Sequence, residues 1–381
     1  MTKRRTAANW GCTALAEIIT YVAKHASKQS LVDDSLRSRI VSGEFPPGSR
    51  IPPFTQLEKE LDASRVTVRL AVKRLCEQGF VVTKRPVGTF VSDNPPHLAN
   101  IGLVIQPPAA NGWQSLFRKA LVEQAAELSS PSRRMWVHEV REGPFHPEDH
   151  RWLVDEIRLQ RVAGLIFAHQ PYLHWLAPLM EEVDLPRVVF TGQPVPSANV
   201  VSPDRAMLRD KALGYLAAQG RRRPAFLFCA DHPLDLNAEA ESLAPHLERH
   251  GMETRRHWFQ SVAPYRHEWV ANCVELLLRC AEPPDSLAIM DDNLVEGATA
   301  GIAASGCVVE KEFTVVAHCN FPLAPKASVP VKFIGYDVRQ IMRTFIDIIS
   351  RRRRGEDVPP ITVVPAYMDD QIAASQSVER R

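Results

Sequence analysis

Two hydrophobic rhythms follow one another along the chain. In the first, apolar residues recur at helical spacing. Leu31, Leu36, Ile40 and Val41 fall on one side of a helix over about 30–42. Gly43 stops that helix and Pro46-Pro47-Gly48 turns the chain. Two further helical stretches follow, over about 54–62 and 64–78. Phe80–Thr83, Lys84–Gly88 and Thr89–Val91 then read as strand, tight turn, strand. Ahead of them, residues 13–26 have spacing suited to a short helix and 1–10 read as a basic tail. From about residue 100 the rhythm changes. Short apolar runs (Ile101–Ile105, Met135–Val140, Gly164–Ala168, Arg187–Thr191, Ala225–Cys229, Leu287–Met290, Thr314–Ala317) alternate with helix-length segments such as 113–129, 205–219 and 293–305. This predicts βαβ units with mainly parallel strands, divided between two α/β lobes. Asn94-Pro95-Pro96 marks a linker. The expected organisation is a tail and extra helix over 1–28, a small helical domain with a hairpin over 29–93, a linker over 94–99 and a two-lobed α/β domain over 100–375.

Composition narrows the class. The 381 residues are 45% hydrophobic and 24% charged, the profile of a folded soluble chain. No apolar run of about 18 residues occurs, so no membrane-spanning helix is expected. The basic start is followed by no apolar stretch of the kind a signal peptide needs. The seven cysteines are scattered without a Cys-x-x-Cys, which fits a reducing cytoplasm and argues against a zinc ribbon. A net charge of +2 says little; its distribution says more. Between Ser64 and Val91 stand Arg65, Arg69, Lys73, Arg74, Lys84 and Arg85 against the single anion Glu77, a net charge of +5.

That excess sits on a patterned helix. Ser64 is a suitable N-cap, Val68, Ala71, Val72 and Leu75 form a stripe to be buried, and Arg65, Arg69 and Lys73 recur every four residues on another face. A solvated charged face is the bland reading. A cationic helix preceded by a helix and a turn is also what entry into the major groove of DNA requires. The order of elements favours the second. Residues 31–91 resemble a GntR-family winged helix through Leu36–Ile40, Ser42–Pro52, Ser64–Leu75, Gly79-Phe80-Val81 and Gly88–Val91. The resemblance implies that Arg65, Thr67 and Arg69 read DNA, with Ser64 and Lys73 beside them, and that Lys84 and Arg85 serve the wing. Two departures bear on the operator sequence: Thr55 stands where the family often has arginine, and Pro86 replaces the first wing glycine.

Residues 100–375 resemble the periplasmic-binding-protein-like effector domain of LacI/GalR repressors. The resemblance runs through Ala99–Val104, Val162–Ala168, Leu185–Phe190, Val200–Asp204, Gly220–Leu227, Pro284–Ala298 and Phe313–Asn320. Ligands of α/β sheets bind beyond the carboxyl ends of parallel strands. Asp204, Asp291, Asp292, His318, Cys319 and Asn320 lie at such ends, with Gln106 and Trp113 near the first strand. Short polar side chains there can bond hydroxyls, and an aromatic ring can stack on a sugar face. For each, capping the next helix is the competing role. The family's late aspartate is replaced by Cys319 or Asn320, and its arginine after the sixth strand is missing. The resemblance implies a sugar-like effector, a homodimer matched to a two-half-site operator, and lobe crossings near residues 203, 333 and 358.

Other chemistry finds little purchase. No Walker loop, Gly-x-Gly-x-x-Gly or Gly-x-Ser-x-Gly is present, and no cofactor motif. His146, Asp149 and His150 hint at a metal but read as surface. Arg351–Arg354 read as a solvated helix end favoured by the helix dipole and stopped by Gly355. The expectation is a cytoplasmic transcription regulator of repressor type, without catalytic residues, metal or cofactor. A two-lobed α/β enzyme, or a small-molecule binding protein with no DNA role, are the alternatives.

Overall fold

The computed structural model describes residues 28–109, 112–141, 148–168, 185–230, 235–309 and 311–379. The tail over 1–10, the short helix over 13–26 and His146 lie outside the described residues.

Helices α1 (Lys28–Val41), α2 (Phe54–Glu60) and α3 (Arg65–Glu77) are followed by the antiparallel hairpin β1 (Val81–Lys84) and β2 (Gly88–Val91). Their shared core contains Leu36, Ile40, Leu57, Val68, Ala71, Val72, Leu75 and Phe80. The stripe read from the sequence of α3 is therefore the face that packs. Buried Asp33 of α1 accepts from Arg74 of α3 at 2.8 Å, and buried Arg37 bonds Asp34 and Gln78. These bonds fix α1 against α3 and commit one of the six cations to structure. A one-turn helix, α4 (Pro96–Ala99), packs back on this domain: His97, 5% exposed, stacks on Phe80 with ring centroids 6.0 Å apart.

The remaining chain alternates strand and helix: β3 (Ile101–Ile105), α5 (Leu116–Leu128), β4 (Met135–Glu139), α6 (Arg151–Arg158), β5 (Gly164–Phe167), β6 (Arg187–Phe190), β7 (Asn199–Pro203), α7 (Arg205–Ala218), β8 (Pro224–Cys229), α8 (Leu236–Arg249), β9 (Phe259–Val262), α9 (His267–Leu278), β10 (Ser286–Ile289), α10 (Val295–Ser305), β11 (Thr314–Phe321), β12 (Lys332–Asp337), α11 (Val338–Arg353), β13 (Ile361–Val364), β14 (Tyr367–Met368) and α12 (Asp369–Glu379). Two six-stranded sheets result, ordered β13-β7-β6-β5-β3-β4 and β14-β12-β11-β10-β8-β9. In the second sheet every pairing is parallel except β12 with β14. Strands with buried residues on both faces, such as β3, β5, β8 and β10, explain the continuous apolar runs.

The chain leaves the first sheet after Pro203, returns after Asp337 at the end of β12, and passes from β13 to β14 between Val364 and Tyr367. The crossings expected near 333 and 358 are thus displaced: Phe333 lies inside β12 and Val358 precedes β13. A weak apolar signal in the internal strand β12 and the shortness of the edge strands β13 and β14 obscured both. Gly335 is needed where β12 meets β11, because a Cβ there would lie 1.8 Å from the carbonyl oxygen of Cys319.

Two other readings change. His150 is not surface: it is buried and shares a 2.9 Å hydrogen bond with His138. Arg353 does not point freely into solvent either, since it donates to the carbonyls of Val162 and Ala163 at 3.0 and 2.6 Å.

Candidate functional site

Two groups of polar residues stand out, one in each rhythm of the chain. In the first, Ser64 caps α3 in an extended conformation and accepts from the Thr67 amide at 3.2 Å. The Ser64 and Thr67 hydroxyls also share a 2.9 Å bond. Thr67 therefore helps to fix the helix start. Beyond the cap, Arg65, Val66, Arg69, Leu70 and Lys73 are all exposed. Arg65 faces Glu58 at 3.9 Å and Lys73 faces Glu77 at 3.7 Å, loose pairs that phosphates can displace. Arg69 makes no ion pair or hydrogen bond among the described residues. On the hairpin, Lys84 lies 5.4 Å from the Phe90 ring centroid and Arg85 is exposed. Sequence reasoning missed Arg50. Its backbone bridges Phe90, and its guanidinium lies where a Cβ on Gly88 would be, 2.7 Å away. Arg50, in the turn before α2, thus lies against the hairpin that carries Lys84 and Arg85.

The second group lies at the carboxyl ends of β7, β10, β11 and β12. Asp291, after β10, accepts from the amide and side-chain nitrogen of Asn293 at 2.9 and 2.7 Å. Asn293 in turn accepts from the Leu116 amide at 2.8 Å, which brings the start of α5 to this strand end. Asp292 turns inward and accepts from the backbone and side-chain nitrogens of Asn320 at 3.1 and 2.8 Å. It is 2% exposed, and burial together with the neighbouring Asp291 charge pushes its carboxyl up to about 8.

Asn320 pairs in register with Tyr336 of β12, so the two share a sheet face. Two residues earlier on that face, His318 lies with its ring centroid 5.7 Å from Tyr336. Burial, aided by the charge of Arg205, lowers the His318 imidazole to about 4. Burial also raises the Tyr336 phenol, whose buried hydroxyl has no hydrogen-bond partner among the described residues. Helix α7 begins beside these rings: Asp204 caps it by accepting from the Met207 amide at 2.8 Å, and Arg205 follows.

Asp291, Asp292, His318 and Asn320 thus belong to one end of the second sheet, and Asp204, which follows β7 of the first sheet, caps α7 beside them. Trp113 stands with Tyr265, ring centroids 6.2 Å apart, and Gln106 is exposed, its carbonyl accepting from Arg118. Asp292 and Cys319 are too buried to face a ligand first; their work is to fix Asn320 and the strand ends. Sequence reasoning missed Arg205, Tyr336 and Asn293. Strand β12 left too weak an apolar signal to be read, and Arg205 looked like an ordinary first-turn residue. Among the described residues, no three His, Cys, Asp or Glu side chains come together as metal ligands would. No helix among them is long and apolar enough to cross a membrane.

Comparison with known proteins separates the same two regions. Residues 28–91 match the family described as "Bacterial regulatory proteins, gntR family". The chain is 31% identical over 119 residues to the histidine utilization repressor of Pseudomonas aeruginosa, covering 30% of this chain and 46% of that protein. It is 37% identical over 62 residues to the mannosyl-D-glycerate transport/metabolism system repressor MngR of Escherichia coli, covering 16% and 26% respectively. The chain therefore spans less than half the length of these relatives. Among solved structures, the transcriptional regulator CelR–cellobiose complex aligns with a TM-score of 0.56 at 17% identity, covering 84% of this chain and 98% of that one. A LacI family transcriptional regulator from Arthrobacter in complex with lactose aligns with a TM-score of 0.56 at 18% identity, covering 71% and 97%. At such identities the likeness establishes the fold: two parallel-sheet α/β subdomains of LacI type.

Proposed function

We propose that this chain, whose residues 28–91 are a gntR-family helix-turn-helix domain, is a transcription regulator of repressor type whose operator affinity responds to a small polar effector. The observation that carries the reading is the exposed face of α3, where Arg65, Arg69 and Lys73 project from a Ser64-capped helix whose other face is core. Arg65 and Arg69 contact bases and phosphates, Lys73 contacts phosphate, and Lys84, Arg85 and Arg50 follow the backbone beside the hairpin. The effector occupies the strand ends near Asp204, His318, Asn320 and Tyr336, with Trp113 and Gln106 at its margin. The names of the matched repressors and the sugars held by the LacI-type neighbours support a metabolite as effector. The protein acts in the cytoplasm and is not an enzyme in this reading.

A two-half-site operator calls for two copies. The second copy covers the face made by α9 and the edge strand β9. There a groove of about 660 Å³ is lined by Val262, Trp269, Cys273, Leu276 and Leu277, with Trp269 66% and Leu276 72% exposed. Gel shifts of the full chain with genomic fragments test the reading, and a sequence-selective shift that a metabolite abolishes is the expected result. Sedimentation of Trp269→Glu tests the dimer, which that substitution is expected to split into monomers.

A further inference from the structure

Resting on that reading of the strand ends as the effector site, we propose that the effector carries an oxyanion, a carboxylate or phosphate on an otherwise neutral polar body, and that Arg205 binds it with the Tyr336 hydroxyl as a second donor. Cations near this face are otherwise engaged. Arg209 is held by Glu239 at 2.7 Å and by Ser242, and Arg339 is held by Asp337 at 2.9 Å. Arg205 has no hydrogen-bond or ion-pair partner among the described residues. It stands at the first position of a 14-residue helix, where backbone N–H groups and the helix dipole favour an anion. Its guanidinium lies 3.9 Å from where a Cβ on Gly192 would be, so it reaches the turn after β6 as well.

Tyr336 supplies an independent pointer. The residue is 6% exposed and its hydroxyl is buried without a partner. Buried hydroxyls are almost always bonded, and no acceptor for this one stands among the described residues, which suits it to a ligand oxygen. Its raised phenol keeps its proton at every physiological pH, so it can donate to a ligand oxygen. Two carboxylates stand at these strand ends: Asp204 is engaged with the Met207 amide and the positive end of α7, and Asp291 with the amide and side-chain nitrogen of Asn293. Asp204 balances the charge of Arg205 rather than reversing it. The neighbours of Tyr336 on its own sheet face are neutral: His318 is uncharged above about pH 4 and Asn320 is an amide. Neutral hydroxyls suit those groups, and an oxyanion suits Arg205.

The test measures binding of matched pairs to the full chain at low ionic strength: gluconate and glucose 6-phosphate against glucose, with inorganic phosphate alone as the minimal probe. Wild type is expected to bind an anionic member at least about tenfold more tightly than its neutral partner. Arg205→Gln is expected to lose about 10–100-fold in that affinity, with partial rescue by Arg205→Lys. Tyr336→Phe is expected to weaken anion binding several-fold while raising the melting temperature of the ligand-free protein, because an unpaired buried hydroxyl is removed. A merely structural tyrosine would not separate the two readouts. Equal binding of neutral and anionic partners, an Arg205→Gln variant that binds anions like wild type, or no binding of any anionic probe overturns the proposal. Failure of the ligand-free wild type to bind any genomic fragment contradicts the function proposed above instead, so the two failures are distinct.

Discussion

Helix α3 and the strand ends of the second sheet handle polar groups in opposite ways. On α3 the charges stay in water, loosely paired or unpaired, and the helix is anchored by its other face. At the strand ends the polar groups are drawn inside and neutralised: Asp292 is pushed up and His318 down, while Cys319 is held as a thiol by burial beside Asp292 and Asp369. An exposed cationic face suits a polyanion recognised through many displaceable contacts. A set of strand-end polar groups held by hydrogen bonds and partly neutralised by burial suits a small molecule read by a few fixed groups. The second depends on close strand packing.

That difference sets the order of expected effects. The largest belongs to Gly335→Ala. A Cβ placed 1.8 Å from the Cys319 carbonyl oxygen forces β12 from β11, and a loss of more than about 4 kcal/mol is expected, read by urea unfolding. A change of under about 1 kcal/mol would mean that the strand ends are more pliable than described.

Acid comes next. Burial lowers His97 and His138 to about 4, as it does His318. These groups are neutral in the folded chain where an unfolded chain protonates them, so the unfolded state binds more protons between about pH 4 and 6.5. Stability is expected to rise with pH across that window, and the buried His97 alone contributes roughly 3 kcal/mol. Asp292 works the other way. Its folded form keeps a proton up to about pH 8, so its contribution is full below the ordinary aspartate range and is lost as pH rises towards 8. Asp292→Asn is therefore expected to gain on wild type as pH is raised from 4 to 8. A constant difference would show that the carboxyl is ionised when folded.

On α3 the expected effects are on binding instead. Arg65→Ala and Arg69→Ala should each weaken specific DNA binding by about 1–3 kcal/mol with unchanged melting. Ser64→Ala removes the cap, and about 1 kcal/mol of stability with it. If Ser64→Ala lowered the melting temperature as much as Gly335→Ala, the contrast between the two regions would fail.

The same contrast governs what could be read from the chain. The cationic face proposed to read DNA is local: Ser64 to Arg85 carries cap, stripe, basic face and hairpin within one stretch, so periodicity and charge are enough to pick it out. Even there Arg50 was missed, because only the fold brings its loop against Gly88. The strand ends come from segments over a hundred residues apart. Buried runs such as Leu287–Met290 announced their strands, and the polar residues after them could be named. Their roles could not. That Asp292 faces Asn320 rather than solvent, or that Tyr336 stands beside His318, depends on strand register that alternating burial alone does not set. Nor did Asn-Pro-Pro forecast that Pro96–Ala99 would pack on Phe80.

The most direct measurement is an anisotropy titration of the full chain on a genomic fragment it selects, with a scrambled fragment as control, for wild type and Arg69→Ala. The expected result is a wild-type preference of at least about a thousandfold for the selected fragment, reduced roughly tenfold or more in the variant while weak binding to the scrambled fragment persists. Equal affinity for both fragments, or an Arg69→Ala curve that overlays wild type, would contradict the assignment of α3 as the element that reads DNA.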